Sequence, residues 1–205
     1  MESSDKMNLP NRITLGRVIL SALLLVMMLL PWYQMGVHFP VYHVGNVNVS
    51  IEYIIGGIIF LIASVTDFLD GYLARKNNQV TDFGKVMDAI ADKLLVNGLL
   101  IILAYNRVIS VVIPVVIISR DIVVDSCKMI SGNKGKVVAA SILGKIKTIC
   151  MMVGLTLTMF YNLPFELIGL PIADLCLVSA VILSVVSGVQ YFYNVKDILF
   201  PGKTN

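Results

Sequence analysis

A chain of 205 residues that is 57% hydrophobic and only 14% charged, with a mean hydropathy of +0.85, lies outside soluble usage. The net charge of +3 is small and no basic stripe interleaved with aromatics occurs, so nucleic-acid binding has no support. The bilayer is the solvent these numbers imply, and little of the length is left for a separate soluble domain.

A membrane helix needs roughly 20 mainly apolar residues. Stretches of that kind run, in chain order, over 13–30, 54–73, 84–104, 108–127, 142–161 and 175–193. The expectation is therefore an all-α integral membrane bundle of about six transmembrane helices, one domain over 1–205, with residues 1–12 as a cytoplasmic, interfacial N-terminal segment. The first stretch differs from a cleaved secretory signal: no small-residue cleavage pattern follows Leu30, and Pro31, Trp32 and Tyr33 read as an interfacial anchor. It is expected to be a retained helix.

Six spans put both termini on one side. That side would hold Lys6, Arg12, Arg75, Lys76, Lys128, Lys134, Lys136, Lys145, Lys147, Lys196 and Lys203, and the other only Arg107. Such a bias predicts a multi-pass protein of the cytoplasmic membrane with its termini and the 75–83 and 128–147 connections in the cytoplasm. The segments 31–53, 105–107 and 162–174 become outer loops. Cys127, Cys150 and Cys176 have neither paired spacing nor a neighbouring His, so they read as packing residues rather than disulfides or zinc ligands. His38 and His43 fall in the first outer loop and read as surface side chains.

Five of the 13 acidic residues lie between Asp67 and Asp92, inside segments that otherwise read as membrane helix. Carboxylates there are costly and mark function by default. Asp67, Asp70, Gly71 and Ala74 recur at three- and four-residue spacing, as do Gly84, Asp88 and Asp92, so each set shares one helical face. The short connection between these helices makes them antiparallel neighbours. Counted from it at 1.5 Å per residue, Asp67 and Asp92 both lie roughly 12 Å deep, with Asp70 and Asp88 as a shallower pair. Four converging carboxylates repel unless protonated or neutralised, and oxygen-only ligation suits hard ions. Mg²⁺ or Mn²⁺, two ions in number, would also polarise a diphosphate.

The pattern Asp67-x2-Asp70-Gly71-x2-Ala74-Arg75-x8-Gly84-x3-Asp88-x3-Asp92 resembles the signature of the CDP-alcohol phosphatidyltransferase family at every fixed position. The resemblance implies that Asp67, Asp70 and Asp88 hold metal, that Asp92 is the catalytic base and a further metal ligand, and that Gly71, Arg75 and Thr81 line the CDP-diacylglycerol site. It also implies a homodimer. Residues 8–17, 88–95 and 143–148 resemble family members that make phosphatidylglycerophosphate from sn-glycerol 3-phosphate, although Ala89 and Asp82 depart from the residues common there. A phosphorylated acceptor needs cations, and Arg120, Lys136, Lys145 and Lys147 are the candidates, Arg120 and Lys145 foremost. The competing account pairs Arg120 with Asp121 or Asp125 and gives the lysines to anionic lipid. Asn11 and Thr14 meet the nucleotide, or cap the first helix.

Three other readings compete with this one. The same chemistry could serve another alcohol such as inositol phosphate. A divalent-cation transporter would spread its acids across the membrane, whereas here they cluster toward one side. A prenyl-diphosphate transferase would lack the Gly-x2-Ala-Arg continuation.

Overall fold

The computed structural model describes residues 9–76, 81–134 and 141–199. Its order is α1 (Leu9–Leu29), β1 (Val41–Val44), β2 (Val47–Ser50), α2 (Ile51–Lys76), α3 (Asp82–Tyr105), α4 (Val112–Asn133), α5 (Ile142–Met159), a 3₁₀ turn (Phe165–Ile168) and α6 (Ile172–Leu199). The fold is that of an all-α membrane protein. Each expected stretch falls on a helix: α2, α3 and α6 extend past it at both ends, whereas α4 starts four residues late and α1 and α5 stop one and two residues short.

By length and composition, Asn11–Leu29, Ile142–Met159 and Ile172–Lys196 are apolar enough to cross a bilayer. The helices α2, α3 and α4 have 26, 24 and 22 residues, at 1.5 Å per residue also long enough. They carry the aspartates and Arg120. Large apolar side chains stay exposed along the helices, among them Ile19, Leu23 and Val26 on α1, Ile58, Leu61 and Ile62 on α2, and Val178, Ile182 and Val185 on α6. Lipid is the solvent that accepts such a surface. Hydroxyls inside the helices turn back to the carbonyl four residues earlier: Ser64 donates to Phe60, Thr66 to Ile62, Thr156 to Met152 and Thr158 to Gly154. Their donors are thereby satisfied without water.

Helix ends follow local chemistry. Pro31 stops α1, and Pro171 precedes α6, where its carbonyl accepts the Leu175 N–H at 3.0 Å. After α5 the chain turns through Tyr161 and Asn162 with φ of 56° and 54°.

The chain forms two compact units. The first comprises residues 1–102 and 159–163. In it α1 packs along α2, and the face of α1 made by Asn11, Thr14, Arg17, Ser21, Leu24 and Met28 is buried. Small residues permit close approach: a Cβ at Gly98 would lie 2.7 Å from Leu25, and one at Gly56 would lie 2.6 Å from Met159. The segment expected to be an outer loop contains an antiparallel hairpin, Val41 opposite Ser50 and Val44 opposite Val47, closed by Gly45 at φ 61° and Asn46. Tyr161 joins it to α2, its hydroxyl accepting the Ser50 N–H at 3.0 Å and its ring lying 5.7 Å from that of Tyr53. His43 faces Asn48 across the hairpin at 2.6 Å, a structural contact. Glu52, in the first turn of α2, is pushed above the usual carboxylate range by burial. It lies 15 residues, roughly 22 Å of helix, before Asp67.

The second unit comprises residues 103–158 and 164–205. Here α4 runs along α6, with Val124, Cys127, Tyr191 and Val195 as a buried cluster. The three cysteines are free thiols, and Cys127 packs as expected. Gly154 lets Leu177 approach, since a Cβ there would sit 2.9 Å from it.

Candidate active site

In the first unit, α2 carries Asp67 and Asp70, Gly71 and Arg75 near its end, and α3 carries Asp88 and Asp92 near its start. The side chains of Asp70, Gly71 and Arg75 lie outside the described residues. Asp67 and Asp88 are brought together, and by a residue absent from the sequence-based site: Arg17, 1% exposed, pairs through its guanidinium with both carboxylates. Asp67 and Asp88 themselves remain 40% and 53% exposed, so the cluster opens to the surface rather than being sealed in the core. Arg17 thus joins Asp67 to Asp88, one turn nearer the connection than Asp92, which the count from the loop sets opposite Asp67. Asp92 is exposed on α3.

A signal for Arg17 exists in the sequence. Asn11, Thr14, Arg17 and Ser21 recur at three- and four-residue spacing in an otherwise apolar helix, which marks one polar stripe. The structure buries all four at 9% exposure or less. A charged group fully buried on such a helix requires a partner of opposite sign, and the aspartates of α2 and α3 supply it.

The stripe begins at a second junction. Thr81 precedes α3, and its hydroxyl accepts the Gly84 N–H at 3.0 Å, the place of an N-cap, while donating to Asn11 Oδ1 at 3.0 Å. A Cβ at Gly84 would fall 2.7 Å from Asn11 Oδ1 and 3.0 Å from Thr81 Oγ1. Asn11, Thr81 and Gly84 therefore lock the start of α1 to the start of α3. Gly84→Ala is expected to break this junction at a cost of about 1–2 kcal/mol, read as a lower midpoint of thermal unfolding in detergent.

The donor set fits a hard divalent ion. All candidates are carboxylate oxygens, the donor type that suits Mg²⁺ or Mn²⁺. Among the described residues no three His, Cys, Asp or Glu side chains gather into a fuller ligand set.

In the second unit, the basic candidates separate. Arg120 on α4 donates to Asp121 at 2.9 Å, to the Ser184 carbonyl at 3.1 Å and to the Ser187 hydroxyl at 2.8 Å. Its stem crosses Gly188, where a Cβ would lie 2.9 Å from Cγ. Lys147, 4% exposed, donates to both oxygens of Asp121 at 3.0 and 3.1 Å. Asp121 is therefore the hinge of a network that holds Arg120 and Lys147 together, and Arg120 takes the neighbouring acid as the competing account expects. Asp125 instead meets Lys128 at 3.5 Å. Lys145 is exposed at the start of α5, and Lys136 lies outside the described residues. Three nitrogens of Arg120 are engaged, and with five N–H donors the fork retains capacity for a phosphate. Asp121→Ala leaves the Lys147 ammonium buried without its carboxylate. A loss of about 2–3 kcal/mol is expected, measured by thermal unfolding, with Asp121→Glu closer to the parent.

Comparison with known proteins covers most of the chain. The family model of CDP-alcohol phosphatidyltransferase matches residues 7–186. The chain is 44% identical over 187 residues, 90% of its own length and 93% of the relative's, to the CDP-diacylglycerol--glycerol-3-phosphate 3-phosphatidyltransferase of Bacillus subtilis (strain 168). Proteins of the same name in Mycoplasma genitalium and Rickettsia felis are 40% and 31% identical, over 76% and 90% of this chain and 66% and 93% of theirs. Because the match begins before α1, ends within α6 and contains the whole aspartate cluster, the chain belongs to the CDP-alcohol phosphatidyltransferase family.

Proposed function

We propose that this chain transfers the phosphatidyl group of CDP-diacylglycerol to sn-glycerol 3-phosphate, giving phosphatidylglycerophosphate and CMP. The observation that carries the reading is that carboxylates from both helices of the signature, Asp67 and Asp88, converge on one cationic group. The relatives named for this reaction, similar over nearly their whole length, support it.

Bound by Asp67, Asp70, Asp88 and Asp92, two Mg²⁺ or Mn²⁺ ions would supply the positive charge that a diphosphate needs to react. Gly71, Arg75 and Thr81, with Asn11 and Thr14 on α1, receive the CDP-diacylglycerol. Gly71 allows close approach, and Arg75 offers a fork for phosphate oxygens. The hydroxyl of Thr81 is already oriented by Asn11 and Gly84. Arg120 and Lys145 hold the acceptor's phosphate, with Lys147 fixing Arg120 through Asp121 and Lys136 as a further cation. Asp92 takes the proton from the acceptor's primary hydroxyl. The oxygen then bonds to the phosphorus that carries diacylglycerol, the bond from that phosphorus to CMP breaks, and CMP departs with the electron pair.

A soluble acceptor and a lipid donor meet at the interface. The reading accordingly places six spans in the cytoplasmic membrane, with termini and aspartates on the cytoplasmic side, in a homodimer. Purified protein given CDP-diacylglycerol and a panel of alcohols tests the assignment through its lipid products. Phosphatidylglycerophosphate from glycerol 3-phosphate is expected; a product from inositol phosphate instead reassigns the acceptor, and cation uptake into vesicles without CMP release replaces the reading with transport.

A further inference from the structure

Arg17 has no part in the roles proposed above, yet it is the most deeply buried group of the aspartate cluster, at 1% exposure. Its guanidinium pairs with Asp67 on α2 and Asp88 on α3. Its own carbonyl accepts the Ser21 hydroxyl at 2.8 Å, which adds a polar contact on the stripe of α1 that carries it. These are two of the carboxylates to which a cation role has just been given, and the present inference rests on that reading.

A bidentate guanidinium and a hard divalent ion seek the same carboxylate lone pairs. Both are positive, so at a separation of a few ångströms each weakens the hold of the other. Without either, the carboxylates would face one another with their repulsion unrelieved. We propose that Arg17 is a resident counter-cation of the aspartate cluster, which a divalent metal displaces from Asp67 and Asp88 as it binds. Arg17 then does two things that a permanent structural ion pair does not. It supports the junction of α1, α2 and α3 when metal is scarce, and it sets the metal affinity lower than the carboxylates alone would give.

The test uses Mn²⁺ as probe on the full chain in detergent, with bound metal followed by electron paramagnetic resonance and stability by thermal unfolding in EDTA and in saturating Mn²⁺. Arg17→Gln should bind Mn²⁺ about tenfold more tightly than the parent. Its unfolding midpoint should fall by several degrees in EDTA and stay near the parent's in Mn²⁺. Unchanged or weaker Mn²⁺ binding, or an equal fall of the midpoint in both buffers, overturns the exchange and makes Arg17 a fixed structural partner. Should Arg17→Gln not survive purification, Arg17→Lys decides. One ammonium cannot bridge both carboxylates as the fork does, so binding about threefold tighter is expected, and unchanged or weaker binding overturns the proposal. If Mn²⁺ binds neither the parent nor the variants, the metal reading itself fails, an outcome distinct from intact parental binding that Arg17→Gln leaves unaltered.

Discussion

In Asp67→Asn or Asp88→Asn, CMP release is expected to fall by about a hundredfold or more while the protein stays folded. Asn preserves the volume of each side chain and removes only its charge, so the packing around each has no reason to change. What is lost is an anionic oxygen donor, and hard divalent ions bind carboxylates far better than amides. Arg17 keeps Asp88 in the first variant and Asp67 in the second, so the α1 junction survives. Asp70→Asn should behave alike if the signature acts as one ligand set. The check is CMP release across a Mg²⁺ titration beside a thermal unfolding curve. Part of the lost rate should return at high Mg²⁺, EDTA should abolish the parent's activity reversibly, and a parental rate in any of the three variants would falsify metal-assisted transfer.

Asp92→Asn should also stop turnover, by about two to four orders of magnitude, but with a different signature. Asp92 stands one helical turn beyond Asp88, exposed on α3. A general base must reach the acceptor hydroxyl and be ionised at working pH, and neighbouring cations favour the ionised form. Removing a base slows the chemical step and leaves the donor bound. Affinity for CDP-diacylglycerol at saturating Mg²⁺ should therefore remain near the parent's. A collapse of both rate and affinity would recast Asp92 as chiefly a metal ligand, and near-parental turnover would end the base assignment.

The six helices were legible because membrane spans are contiguous: apolar runs of about 20 residues identify themselves without knowledge of what they touch. Their ends were less legible. α4 starts at Val112 rather than near residue 108, after a turn in which Arg107 takes φ 60°, a choice set by packing and not by hydropathy. The hairpin at 41–50 was readable in principle from Val-Tyr-His-Val, Gly-Asn and Val-Asn-Val, a β-branched alternation around a turn pair. Eight residues of strand are easily passed over between two long helices.

At the site, fixed spacing on α2 and α3 exposed the four aspartates, since each set lies on one helix and needs only the 3.6-residue period. Arg17 was harder, because its meaning depends on α1 lying against α2 and α3, a tertiary fact. Lys147 and Asp121 are 26 residues apart on different helices, and nothing local distinguishes that lysine from Lys145. Burial makes the distinction: Lys147 is enclosed and paired, Lys145 exposed.

The most direct test of the central claim is the stoichiometry of CMP release by the purified protein supplied with CDP-diacylglycerol in detergent and Mg²⁺, with and without sn-glycerol 3-phosphate. The account predicts one CMP for each phosphatidylglycerophosphate formed, none without the acceptor and none in EDTA. CMP release that ignores glycerol 3-phosphate, or persists at full rate in chelator, would contradict it.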